Sequence, residues 1–139
     1  MNKIIISVFL IFSFLNAAEK SNWTHSHRYK LKKDEIASVS YNKAKSKAED
    51  KQEFIFRWTS VIADRVTLLV NHKGYPHQYI LYNKRSLKSI KLDLLPHGSN
   101  KLAERSYILL SLFDINQGDG TVDFDVFVKD DKQRVLVEF

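Results

Sequence analysis

Cysteine is absent from the 139 residues. Disulfide staples, thiol catalysis, thiolate metal sites and lipidation of an N-terminal cysteine are excluded together, so a folded state has to rest on a packed core. Proline occurs twice and glycine four times, too seldom for a collagen-like or low-complexity chain. Beyond Leu15 no apolar run approaches the roughly 20 residues of a membrane-spanning helix. The sequence contains no Gly-x-Ser-x-Gly, no His-Glu-x-x-His and no phosphate loop, so no recognisable catalytic motif assigns an activity. What is present is an ordinary globular composition, 44% hydrophobic and 27% charged, enough to fill the core of one domain and too apolar for a disordered tail.

The first residues are patterned differently from the rest. Lys3 precedes an apolar and serine run from Ile4 to Leu15, and Asn16, Ala17 and Ala18 supply small residues before the polar Glu19. This is the layout of a secretory signal peptide, which predicts cleavage after Ala18, a mature domain of residues 19–139 and export to the periplasm. The other reading is an uncleaved N-terminal anchor. Asn22, Trp23 and Thr24 form a glycosylation sequon that abuts the cleavage site and needs a host with that machinery.

The mature chain reads as consecutive short strands. Residues 23–31 alternate strictly, with Trp23, His25, His27, Tyr29 and Leu31 on one face and Thr24, Ser26, Arg28 and Lys30 on the other. Further strands are expected over 36–41, 52–63, 65–71, 77–82, 89–95, 107–115, 121–129 and 134–139. In the third, Phe54, Phe56, Trp58 and Ile62 are expected to share the core face. The stretch 107–115 is apolar on both faces, which predicts a central strand covered on each side. Residues 43–51 carry no apolar stripe and read as a loop or a short solvated helix. Gly74 and Pro76 break the chain, a turn is expected from Pro96 to Asn100, and Asn116 to Gly120 reads as a Gly-rich hairpin loop. About eight strands at this spacing without a helical stripe predict an all-β fold, an antiparallel β-sandwich.

The pattern resembles a class of small, uncharacterised exported bacterial proteins, through Phe54-Ile55-Phe56-Arg57-Trp58, the stretch from Gly74 to Tyr82, and the aromatic terminus Phe139. The resemblance implies export to the periplasm and brings no known activity.

Several constellations are candidates for function. His25 and His27 stand at i and i+2 on one strand face, about 7 Å apart, so both imidazoles can reach one metal ion; two neutral core histidines give the same pattern. His72, His77 and His97 lie near turns and join them only if those turns share an end of the sandwich. Asp114, Asn116, Asp119 and Asp123 around the Gly-rich loop offer calcium-type oxygens, although Gly118 stands where a ligand is expected and no Glu closes the loop. Asp123 and Asp125 resemble a glycosidase carboxylate pair without a partner Glu.

Charge is unevenly distributed. Residues 19–110 carry a net charge of +9 and residues 111–139 a net charge of −4. Two dense basic stretches, Lys43, Lys45, Lys47 and Lys51, and Lys84, Arg85, Lys88 and Lys91, can attract phosphates, anionic headgroups or an acidic protein patch if they share one surface, and otherwise are a solvated face. The reading is a non-enzymatic periplasmic binding or scaffolding module without a cofactor. It contacts an anionic envelope component or another envelope protein through those basic loops and the edge aromatics Tyr75, Tyr79 and Tyr82. Peripheral membrane contact fits this surface; nucleic acid does not fit the compartment. Three alternatives stay open: a small outer-membrane β-barrel, suggested by Val135, Val137 and Phe139 at alternate positions; a histidine-based metal-binding protein; and an enzyme with a site assembled from distant loops.

Overall fold

The computed structural model describes residues 22–95 and 106–139. The expected signal peptide, the turn from Pro96 to Asn100, and His97 lie outside the described residues.

Period-two alternation of Val, Leu, Ile and aromatic residues produces nine strands among the described residues: β1 (His25–Lys32), β2 (Ala37–Lys43), β3 (Gln52–Ile62), β4 (Arg65–His72), β5 (Tyr75–Tyr82), β6 (Ser89–Asp93), β7 (Ser106–Asn116), β8 (Thr121–Asp130) and β9 (Val135–Glu138). The polar run after β2 holds one short 3-10 turn, Ala48–Asp50. Lys73 and Gly74 turn between β4 and β5 with positive φ, 54° and 80°; glycine takes that conformation without steric cost. Every ladder is antiparallel, in a four-stranded sheet ordered β1-β8-β7-β6 and a five-stranded sheet ordered β5-β4-β3-β2-β9. The sheets pack as a β-sandwich and are not closed into a barrel, so the described strands do not support the outer-membrane barrel alternative.

The core lies between the sheets. Phe54, Phe56, Leu68, Leu110, Phe124 and Val126 are buried. Phe56 meets Phe124 across the layers with ring centroids 5.7 Å apart at 76°, the edge-to-face geometry that the ring quadrupoles favour. The Trp58 indole N–H donates to the Leu31 carbonyl at 2.9 Å, and the Tyr29 hydroxyl donates to the Ser38 carbonyl at 3.0 Å. Both bonds join β1 to the opposite sheet.

Three facial assignments differ from the alternation of the sequence. In β3, Trp58 pairs with Leu68 but Ser60 pairs with Thr67, so Thr59 is an extra residue. A one-residue bulge exchanges the faces beyond it; Val61 packs against the core, and Ile62 is 60% exposed. In β7, a second bulge at Phe113 leaves that ring 48% exposed. The outer face of β7 is uncovered among the described elements, contrary to the expectation of a layer on each side; Tyr107 and Leu109 are half-buried within their own sheet. Finally, β1 begins at His25, and Trp23 before it turns to the outer face, stacking on Phe127 at 5.1 Å and meeting Tyr107 edge-on at 6.0 Å.

Candidate functional site

In the five-stranded sheet, β2 ends, β3 begins, β4 ends and β5 begins at one end of the sandwich. Lys43, Lys45, Lys47 and Lys51 therefore cluster there, while Lys84, Arg85 and Lys88 follow the far end of β5. The eight residues of β4 separate these ends by about 25 Å. The condition that both basic stretches share one surface is not met. Lys91 departs from its cluster as well: it lies on β6 opposite Leu109, with its ammonium 4.2 Å from the centroid of the Tyr107 ring.

The second stretch adjoins Tyr82 at the far end of β5, whereas Tyr75 begins the strand at the end that carries the first stretch. β5 is an edge strand of its sheet and has no charged residue from Tyr75 to Tyr82. Alternation divides the three tyrosines: Tyr75 and Tyr79 follow the parity of buried Leu81, whereas Tyr82 points to the outer face. Tyr75 is 70% exposed, and Ile80 on the outer face is 47% exposed. The Arg85 guanidinium lies 5.3 Å from the Tyr82 ring centroid, a cation–π contact that ties the basic loop to the end of the strand.

Backbone hydrogen bonds define what this edge offers. The Tyr82 N–H donates to the Leu87 carbonyl at 2.9 Å, in the following loop, and the Asn83 N–H donates to the Asp64 backbone carbonyl at 2.8 Å, on the β4 side. Donors alternate in direction along an antiparallel strand, so residues 76, 78, 80 and 82 point away from β4. Pro76 has no N–H, and that of Tyr82 is occupied. Among the described residues, the outward N–H and C=O groups of Gln78 and Ile80 have no strand partner.

The other constellations are placed apart from this edge. His25 and His27 are exposed on β1. The His27 ring is stacked on Phe139 (5.3 Å, 18°) and edge-on to Tyr29 (4.5 Å, 69°). His77 lies on β5, at the other side of the sandwich. Among the described residues no group of three or more His, Cys, Asp or Glu is placed to hold a metal ion. At the Gly-rich hairpin, Asp119 accepts from the Thr121 hydroxyl at 2.8 Å and pairs with Lys30 at 2.7 Å. The Lys30 hydrogen bond, then that of Thr121, holds its carboxyl below the usual range. Asp114 accepts the Ile115 N–H at 2.9 Å. These carboxylates brace a turn. Asp125 binds Arg28 through both oxygens, at 2.7 and 2.9 Å, and the same guanidinium lies 3.5 Å from the Phe113 ring centroid.

The sequence reading missed a buried polar network at the 43–51 end. Tyr41 and His72 are 3% and 8% exposed. The Tyr41 hydroxyl donates to Gln52 Oε1 at 2.9 Å and lies 3.0 Å from His72 Nε2. With the one hydroxyl proton given to Gln52, the network assigns the proton of His72 to Nε2, donating to Tyr41. Burial pushes the Tyr41 hydroxyl up to about 12. Burial first, then Lys73 and His77, lowers the His72 imidazole against an opposing pull from Asp93. Both shifts favour uncharged forms, and the hydrogen bonds make the pair, with Gln52, a polar joint between β2, β3 and β4. Beside it a cleft of about 480 Å³ has exposed Lys43, Lys73 and Asp50 around buried Tyr41 and Leu94. The signal available in the sequence was the inward parity of Tyr41, the one hydroxyl-bearing residue on the core face of its strand.

Comparison with protein families, characterised proteins and solved structures finds no match to this chain.

Proposed function

We propose that this chain is an exported, non-enzymatic binding module that attaches to an anionic component of the bacterial envelope, or to another envelope protein, through basic loops and edge aromatics. The carrying observation is the continuity of the uncharged edge strand β5 with Lys84, Arg85 and Lys88. Exposed Tyr75 and Ile80 supply apolar contact area, while Tyr79 packs against the core; the loop supplies charge that steers encounter with an anion. The opposite cluster, Lys43, Lys45, Lys47 and Lys51, belongs to a separate surface and acts independently. Export rests on the Ile4 to Leu15 run and the small residues Asn16, Ala17 and Ala18.

The test is sedimentation with purified cell wall and with anionic or neutral vesicles, at low and moderate salt. Binding to an anionic target is expected to weaken as salt rises, because exposed charges are screened beyond about 8 Å at physiological ionic strength. Reversing Lys84, Arg85 and Lys88 to Glu is expected to weaken it and to flatten its salt dependence, with the fold retained. Equal, salt-insensitive behaviour of wild type and reversed variant overturns the reading.

A further inference from the structure

We propose that the partner contributes an acidic, extended polypeptide segment that adds to β5 as an extra strand, hydrogen-bonding the outward N–H and C=O groups of Gln78 and Ile80. This deepens the binding-module reading and rests on it.

The backbone supplies the first reason. A sheet edge with unpaired donors and acceptors is a template for another strand, and folded proteins protect such edges with charge, proline, bulges or a covering loop. β1 is an edge strand carrying Arg28, Lys30 and Lys32; β9 has four residues and β6 has five. β5 is longer, eight residues without Lys, Arg, Asp or Glu. Its protection is confined to its ends: Pro76 removes one outward donor and the Leu87 carbonyl occupies that of Tyr82. Among the described residues nothing covers the centre, and Gln78 and Ile80 are both exposed there. In antiparallel strand addition two outward residues, i and i+2, provide two N–H donors and two C=O acceptors, while side chains on alternate faces give selectivity.

Charge supplies the second. Between Phe54 and Leu92 the chain holds seven Lys and Arg and one carboxylate, Asp64. This stretch builds most of β3, all of β4 and β5, and the loop into β6, so the open edge belongs to the most basic part of the molecule. Lys73 precedes β5, Lys84 and Arg85 follow it, and Arg65 lies opposite Tyr82. A strand flanked by carboxylates meets cations at both of its ends. A second copy pairing antiparallel through β5 instead sets Lys73 of each chain toward Lys84 and Arg85 of the other, a like-charge arrangement that disfavours self-association. Lipid headgroups are neutralised by the loop alone and leave the Gln78 and Ile80 amides in water.

The experiment uses 15N-labelled protein and a ten-residue capped probe peptide of alternating Thr and Val flanked by Glu pairs. The Glu-flanked peptide is expected to slow amide exchange at Gln78 and Ile80 at least tenfold. A Lys-flanked peptide, and one N-methylated at alternate backbone positions, are each expected to bind at least tenfold more weakly. Ile80→Pro removes an outward donor without breaking the β4 ladder and is expected to abolish the effect; Gln78→Pro is the second variant should the first fail to fold, and the N-methylated peptide needs no variant. Unchanged exchange at both amides with saturating Glu-flanked peptide overturns the proposal, as does equal binding of the N-methylated peptide. Protection that rises with protein concentration without peptide overturns it in favour of a second copy. Salt-dependent sedimentation with envelope material but no amide protection removes strand addition and leaves the binding module; amide protection without sedimentation does the reverse.

Discussion

Tyr41 and His72, 31 residues apart in sequence, share a 3.0 Å hydrogen bond in the interior at one end of the sandwich. Neither can take its charged form without losing a favourable environment. An unfolded histidine titrates near 6.5, whereas burial holds folded His72 below that value, so between the two the unfolded chain binds the extra proton. Stability from this site is complete above about 6.5 and is lost as pH falls toward the folded value. The melting temperature is expected to drop from pH 7.5 to 5.5, and His72→Gln to flatten that slope; calorimetry at matched ionic strength compares the two.

Tyr41 carries the opposite sign. Its folded value is raised to about 12, so the stability it contributes is present below pH 10 and lost as pH rises through 10 toward 12. Tyr41→Phe is expected to shallow that alkaline decline. It also strips the buried His72 N–H of its acceptor, at a cost of about 1–3 kcal/mol near neutrality. Urea unfolding at pH 7 and pH 11 measures both effects.

The bulge at Thr59 separates two residues that alternation places together. Phe56→Ala empties a buried ring site and is expected to cost about 3–5 kcal/mol. Ile62→Ala removes an exposed side chain and is expected to stay within about 0.5 kcal/mol. Shifts in the urea midpoint at constant slope provide the comparison.

Zn²⁺ and Cu²⁺ are expected to leave the melting temperature unchanged, since the His27 ring is engaged by Phe139 and Tyr29. A rise that disappears in the His25→Ala, His27→Ala double variant would instead establish a metal site, because a ligand that binds only the folded state stabilises it by mass action.

The proposed export implies a mature N-terminus at Ala18 or Glu19. Intact-mass measurement on protein from the native envelope is expected to show a chain beginning there; recovery of the full-length chain from cytosol would end the exported reading.

The strands were legible in the sequence because their side-chain period is local. Phe54, Phe56 and Trp58, or Val122, Phe124, Val126 and Val128, show the inward face wherever apolar and polar residues alternate, and two such faces without disulfides must cover one another. The all-β class follows from that pattern, and the strand pairing decided for two open sheets over a closed barrel. Bulges escape it: nothing around Thr59 or Phe113 marks an extra residue until a partner strand fixes the register, and one residue then moves Ile62 from core to solvent. The candidate site was legible as a list of lysines and tyrosines but not as an arrangement. Which residues share an end, and which strand is left at an edge, depends on pairing between segments distant in the chain. That pairing placed Lys43 and Lys84 at opposite ends and divided Tyr79 from Tyr82. It also left Gln78 and Ile80 as the open centre of β5, because their backbone groups point away from β4, a direction set by hydrogen bonds that only the assembled sheet contains.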